Sequence, residues 1–244
     1  MKKIILSFFV SLFALPAFAL TPLDPTYSVG KGQFFAGFAA AFAKPDIGGA
    51  DNGRVLMSLD SLQYGFGDLL TIFLEKKSVS ANAIGVDYTL IHGREFNLDL
   101  IGKYELTVSD TVPTGGAKIY GVMDDKWSWS ATGLLRYRSY AYVYDFFAVD
   151  LLFQGRLLYQ MNPKWGIFAE MNYNVLLENY DNQYHTEFIW QRDMTIGALY
   201  NISKNAAVMP YIARNFKSVR SNGGLDTDLS DGDISVGARF GIQF

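Results

Sequence analysis

The chain has 244 residues, no cysteine and a formal net charge of −3. The missing cysteines exclude a disulfide scaffold and thiolate metal sites, and the slight negative charge gives no support for nucleic-acid binding. Nowhere does the sequence run through eighteen consecutive apolar residues, which excludes a helical membrane protein. Half of the residues are hydrophobic and 16% are aromatic, yet the mean hydropathy is near zero. A chain whose apolar and polar residues alternate on opposite faces averages out in this way.

The first element is an export segment. Lys2 and Lys3 give a positive start, Ile4 to Leu15 form an apolar run, and Pro16 breaks it before Ala17-Phe18-Ala19. That run is too short for a spanning helix, and the small-x-small ending marks a signal peptide cleaved after residue 19. The rest, residues 20–244, reads as one domain without repeats or linkers, and Leu20–Gly30 reads as a short periplasmic lead-in.

Period-two alternation then places strands at 33–43, 54–64, 69–79, 83–92, 95–108, 117–123, 127–139, 146–161, 165–178, 184–201, 206–217 and 232–244. In 54–64 the apolar parity slips between Leu59 and Leu62, the mark of a bulge. On 95–108, Phe96, Leu98, Leu100, Tyr104 and Leu106 oppose Asn97, Asp99, Lys103 and Glu105. On 127–139, Trp127, Trp129, Leu135 and Tyr137 oppose Ser128, Arg136 and Arg138. On 146–161, Phe147, Val149, Leu151, Phe153 and Leu157 oppose Asp150, Gln154 and Arg156, and on 165–178 the row from Trp165 to Leu177 opposes Glu170. Asp193 takes the polar parity of 184–201, where Arg192 shares the apolar parity of Met194 and Ile196. That placement requires either a bulge or a strand rising above the membrane, since a lipid-facing arginine at the midplane costs roughly 2–4 kcal/mol. In the last strand Ile234, Val236, Ala238, Phe240, Ile242 and Phe244 oppose Asp233, Gly237, Arg239 and Gly241.

Short turns rich in Gly, Asn, Asp and Pro, such as Asp124-Asp125-Lys126 and Asn162-Pro163-Lys164, alternate with longer polar stretches at Lys44–Gly53, Ser109–Gly116, Asn179–Gln183 and Ser218–Asp231. Alternating strands of about ten residues with short turns at one end and longer loops at the other are the transmembrane barrel pattern. The fold class is all-β, an antiparallel up-and-down barrel of twelve strands, with ten as the alternative count. Trp127, Trp165, Tyr159, Tyr173 and Tyr200 fall towards strand ends, where aromatic girdles form.

The terminal strand with Phe240, Ile242 and Phe244 resembles the C-terminal assembly signal of bacterial outer-membrane proteins. The whole chain resembles the porin-like outer-membrane β-barrel class. The resemblance implies Sec export, insertion by the barrel-assembly machinery, contact with outer-membrane lipid and lipopolysaccharide in a Gram-negative bacterium, and both termini in the periplasm.

For function, the polar parity supplies the candidates. Asp99, Lys103, Glu105, Arg136, Arg138, Asp150, Arg156, Glu170, Asp193, Asp233 and Arg239 are expected to line a lumen. Acids outnumber bases on that face, so a small channel for ions or small polar solutes with weak cation preference is expected. Arg136, Arg138 and Arg156 form either a basic ladder across the pore or a set of locally neutralised pairs. An occluded barrel acting through its loops is the alternative. A third class, an outer-membrane hydrolase, rests on His185 with Glu187, without the His-x-Ser or Ser-x-x-Asn arrangements of known barrel hydrolases. No cofactor is called for. Asp226, Asp228, Asp231 and Asp233 lack the glycine and terminal glutamate of a calcium loop, so no metal is called for either.

Overall fold

The structure, a computed structural model, describes residues 23–24, 28–43, 54–76, 82–93, 95–106, 111–140, 146–180, 185–216, 219–222, 225–228 and 234–244. The export segment and Asp233 lie outside the described residues, as do the side chains of Arg138, His185 and Glu187. The described strands are β1 (Phe34–Ala43), β2 (Arg54–Gly65), β3 (Leu70–Lys76), β4 (Asn82–Ile91), β5 (Asn97–Leu106), β6 (Thr111–Val122) and β7 (Trp127–Tyr140). They continue with β8 (Phe146–Gln160), β9 (Trp165–Tyr180), β10 (His185–Ser203), β11 (Ala206–Asn215), β12 (Val219–Asn222), β13 (Leu225–Asp228) and β14 (Ile234–Gln243).

Each strand from β1 to β10 pairs antiparallel with its successor, β11 pairs with β14, and β14 returns to β1. The described residues therefore form a closed twelve-stranded barrel, β1–β11 plus β14. Closure leaves no free edge among these twelve strands, the condition for β-structure in a membrane. At the seam, the Phe34 and Phe244 amides each donate to the other's carbonyl, at 2.8 and 2.9 Å. The terminal residue of the expected assembly signal thus completes the last ladder.

The bulge falls where the parity slips: Gly37 faces Ser61 while the next residue, Phe38, faces Leu59, so Asp60 is the extra residue. Two stretches differ from the sequence reading. β6 begins at Thr111, inside the stretch read as the loop Ser109–Gly116. Pro113 and the Gly115-Gly116 pair imitate a turn there, but Gly116 serves close approach: a Cβ on it would lie 2.0 Å from the Gly133 carbonyl oxygen of β7. Likewise Ser218–Asp231 contains the hairpin β12–β13, which extends β10 beyond the barrel by pairing Val219 with Trp190 and Ser221 with Phe188. The Gly223-Gly224 pair between Asn222 and Leu225 is a two-residue hairpin signal.

The burial alternation is that of a soluble sheet turned inside out. On β4, Ile84, Val86, Tyr88 and Leu90 point outward and are exposed, while Ala83 is buried in the interior. The outward rows of β10 and β14, with Met194, Ile196, Val236, Phe240 and Ile242, continue the same belt. Its lower border carries three cross-strand aromatic pairs beside the short turns. Phe34–Tyr64, Trp127–Tyr159 and Trp165–Tyr200 have ring centroids 4.5, 4.7 and 4.5 Å apart. Such rings sit at the boundary between headgroups and hydrocarbon.

This girdle resolves Arg192. The residue is exposed on the outer face, eight positions along β10 from Tyr200. At roughly 3.4 Å per residue and a tilt of about 40°, that places it about 20 Å above the girdle, at the far border of a belt some 25 Å tall. Ile196, four positions from Tyr200, lies near the middle. Ile196→Arg is accordingly expected to cost roughly 2–4 kcal/mol in denaturant unfolding from lipid vesicles, a penalty that Gln154→Arg on the inner wall should not incur.

Candidate functional site: the charged inner wall

The inward positions gather into tiers along the barrel axis. Nearest the short turns, β8 to β11 carry apolar side chains on the inner face. Leu158 of β8, Phe168 of β9, Leu199 of β10, and Ala207 and Met209 of β11 form one buried cluster, with Tyr211 against it. Leu199 and Met209 are 0% exposed. These residues occupy the parity otherwise held by polar groups, and only the interruption of that parity close to the turns marks them in the sequence.

One step further along the strands lies the first charged tier. Glu170 of β9 is buried between two arginines. Arg156, its direct partner across β8–β9, donates from Nε at 2.8 Å and Nη2 at 2.5 Å to Oε2. Arg239 of β14 reaches past β10 and β11 to donate from Nη1 to Oε2 at 2.8 Å and from Nη2 to Oε1 at 3.0 Å. Gln154 and Asn172 add amide donors at 3.2 and 3.3 Å. One carboxylate thus takes six N–H bonds, the dense satisfaction that a buried charge requires. The Arg239 guanidinium also lies 5.2 Å from the centre of the Tyr211 ring, held above the apolar cluster by a cation–π contact.

On the same tier Tyr120 of β6 donates to Asp99 of β5 at 3.2 Å, and the Lys118 ammonium sits 4.5 Å from the centre of the Tyr120 ring. Lys118 and Asp87 line the small interior cavity together with Asp99, Arg156 and Arg239. Lys118 is an inward base that the sequence reading misses, because it assigns too short a strand there and no face.

The second charged tier joins β3, β5, β7 and β8. Lys103 pairs with Glu75 at 3.1 Å. Arg136 pairs with Asp150, its direct neighbour on β8, and lies 3.5 Å from Glu105. Asp150 is fully buried, and Lys103 and Glu105 are buried. Asp193, half-buried on β10 opposite Asn172, stands nearer the loop end. The basic-ladder expectation changes form: Arg136 and Arg156 each face an acid on the adjoining strand, and the arginine that spans the interior is Arg239. Arg138 pairs in register with Ala148.

A closed barrel with an apolar belt, an aromatic girdle and a charged inner wall has known counterparts. The chain resembles the NanC porin, at a TM-score of 0.55 and 11% identity over 85% of this chain and 98% of that one. Its fold is that of an outer-membrane porin. More distant matches include the KdgM porin, with a TM-score of 0.48, 11% identity and coverage of 84% and 98%. Another is the outer-membrane channel DcaP of Acinetobacter baumannii, with a TM-score of 0.43, 12% identity and coverage of 89% and 100%. No family model and no curated protein sequence matches the chain.

The lead-in before this porin fold departs from the sequence reading. Of the stretch read as a short periplasmic lead-in, Leu23 packs on the apolar cluster and Val29 is buried. Leu23, Asp24, Ser28 and Val29 line the interior cavity, of about 200 Å³, together with Asp87, Asp99, Lys118, Arg156 and Arg239.

Proposed function

We propose that the protein is a passive channel of the outer membrane, admitting ions or small polar solutes through its lumen. One observation carries this reading: two tiers of charged side chains on the inner wall of a barrel whose outer wall is apolar. A purely structural core would be cheaper without them, since buried ion pairs seldom outweigh their desolvation. In a water-filled lumen the same groups keep part of their hydration and act on passing ions.

The short turns and both termini lie on the periplasmic side, with the longer connections and the β12–β13 hairpin outside. Residues 1–19 direct Sec export, and the barrel-assembly machinery reads the strand ending in Phe240, Ile242 and Phe244. Lipid and lipopolysaccharide contact the belt.

Among the described inward residues, the acids Glu75, Asp87, Asp99, Glu105, Asp150, Glu170 and Asp193 outnumber the bases Lys103, Lys118, Arg136, Arg156 and Arg239. The channel should therefore prefer cations weakly. In proteoliposomes under a KCl gradient, the expected zero-current potential lies modestly towards the K⁺ equilibrium value. A potential towards Cl⁻ contradicts the cation preference, and vesicles as tight as protein-free ones contradict the channel.

A second reading is supported by the apolar cluster at the turn end. A barrel closed there would act at the cell surface through its loops, and its vesicles would remain tight under every condition.

A further inference from the structure

We propose that the outer wall holds one phospholipid by an acyl chain, in a groove that crosses β8, β9, β10, β11 and β14. The site faces lipid, and its occupancy does not depend on conduction through the lumen. The groove has a volume of about 780 Å³. Its flanks are the exposed side chains of Leu157, Ile167, Ile196, Ile212 and Val236. Between them the outward positions are small, Ala169 and Ala198, or compact, Pro210, and Gly197 and Gly237 contribute bare backbone.

Pro210 shapes the recess. Proline has no N–H to give to a ladder, and the pairing of β10 with β11 skips this position. It runs from Asp193–Asn215 to Gly197–Tyr211 and resumes only at Tyr200–Val208. At the break β11 lies towards the inner side of β10. A Cβ on Gly197, which shares the inward parity of Thr195 and Leu199, would collide with the Pro210 carbonyl oxygen. The wall is therefore dented from outside. Behind the dent stand Phe168, Leu199 and Met209 of the buried cluster, so the hollow is preformed and a chain entering it orders nothing further.

Height and lining name the occupant. Trp127 and Tyr159, a girdle pair, line the lower end of the groove, where headgroups meet hydrocarbon. Leu157, Ala169, Ile196, Ile212 and Val236 are direct neighbours on consecutive strands above it. Such rows climb from β8 to β14. The row of Tyr159 passes through Ile167 to Ala198, already two positions above the girdle residue Tyr200. Strands about 4.8 Å apart and tilted by about 40° raise the row so that the groove spans roughly 15 Å of height. That is one leaflet of a hydrocarbon core about 30 Å thick.

No charged residue lines the groove. An acyl chain whose headgroup rests at the girdle runs its length, touching wall on three sides and gaining dispersion contacts that a chain on a convex wall lacks. A second barrel needs a complementary face of more than about 1,000 Å², and a hollow confined to one leaflet's height does not supply it.

Native mass spectrometry tests the site, on barrels released by mild detergent from vesicles of dioleoyl phosphatidylethanolamine and dioleoyl phosphatidylglycerol. One phospholipid per barrel should persist through activation that strips the others. Ala198→Phe fills the groove with an outward ring of the kind the belt carries elsewhere, and should lower the lipid-bound fraction several-fold. Ala169→Leu, filling it from the neighbouring strand, should do the same and decides the matter where Ala198→Phe does not insert. Ala131→Phe, at an outward position of β7 that does not line the groove, should leave the fraction unchanged. Short-chain phosphatidylethanolamine should be held several-fold more weakly than the dioleoyl lipid. Loss of all lipid from the unaltered barrel, or equal retention by every variant and chain length, overturns the site. A dimer that carries no lipid and separates on Ala198→Phe gives the groove to a second copy, and overturns it as well.

Discussion

Glu170→Leu should destabilise the folded barrel by about 3–5 kcal/mol, the loss typical when one partner of a buried charge cluster is removed. The Glu170 side chain is 1% exposed, and those of Arg156 and Arg239 are 19% and 20% exposed. Deleting the carboxylate leaves two guanidinium groups facing each other without their common acceptor. The penalty comes from those stranded charges more than from the lost attraction. Replacing Glu170, Arg156 and Arg239 together by apolar residues of similar volume should therefore recover most of the stability. Denaturant unfolding in lipid vesicles reads both variants. The single variant should also shift the zero-current potential towards Cl⁻, because a negative group is removed from the tier. A stability loss of less than about 1 kcal/mol would mean that water in the lumen already satisfies the arginines.

The second large effect is expected one tier lower. Leu199→Ala should cost about 2–5 kcal/mol, the range for truncating a fully buried aliphatic side chain. Leu199 is 0% exposed and packs with Leu158, Phe168, Ala207 and Met209, and its loss leaves a cavity that strands in a closed ladder cannot collapse to fill. The substitution also removes part of the surface on which Leu23 rests. An unfolding midpoint unchanged by the truncation would mean that the cluster relaxes to fill the gap.

Much of this architecture is visible in period-two patterning. Lipid outside and charge inside force a strict alternation, so β5, β7, β8, β9 and β14 declare both their extent and their faces. Even the irregularity between Leu59 and Leu62 survives as the register shift that leaves Asp60 unpaired. What alternation hides has specific physical causes. Pro113, Gly115 and Gly116 carry the same residue types as a turn, although Gly116 is needed for close packing against Gly133. Leu158, Phe168, Leu199 and Met209 break the polar parity, because the turn end of the interior is packed rather than wet. The meeting of Arg239 with Glu170 joins residues 69 positions apart and depends on the chord of the closed barrel, which no local pattern encodes. The stretch before β1 was legible only as a short lead-in between an export segment and a strand, with nothing to show that Leu23 packs on the apolar cluster.

The central claim is conduction through the charged lumen. Single-channel recording of the mature protein in a planar lipid bilayer tests it most directly. The predicted result is discrete steps whose size rises with salt concentration. Folded, inserted barrels that pass no current would contradict it, and would leave a closed barrel that presents its loops.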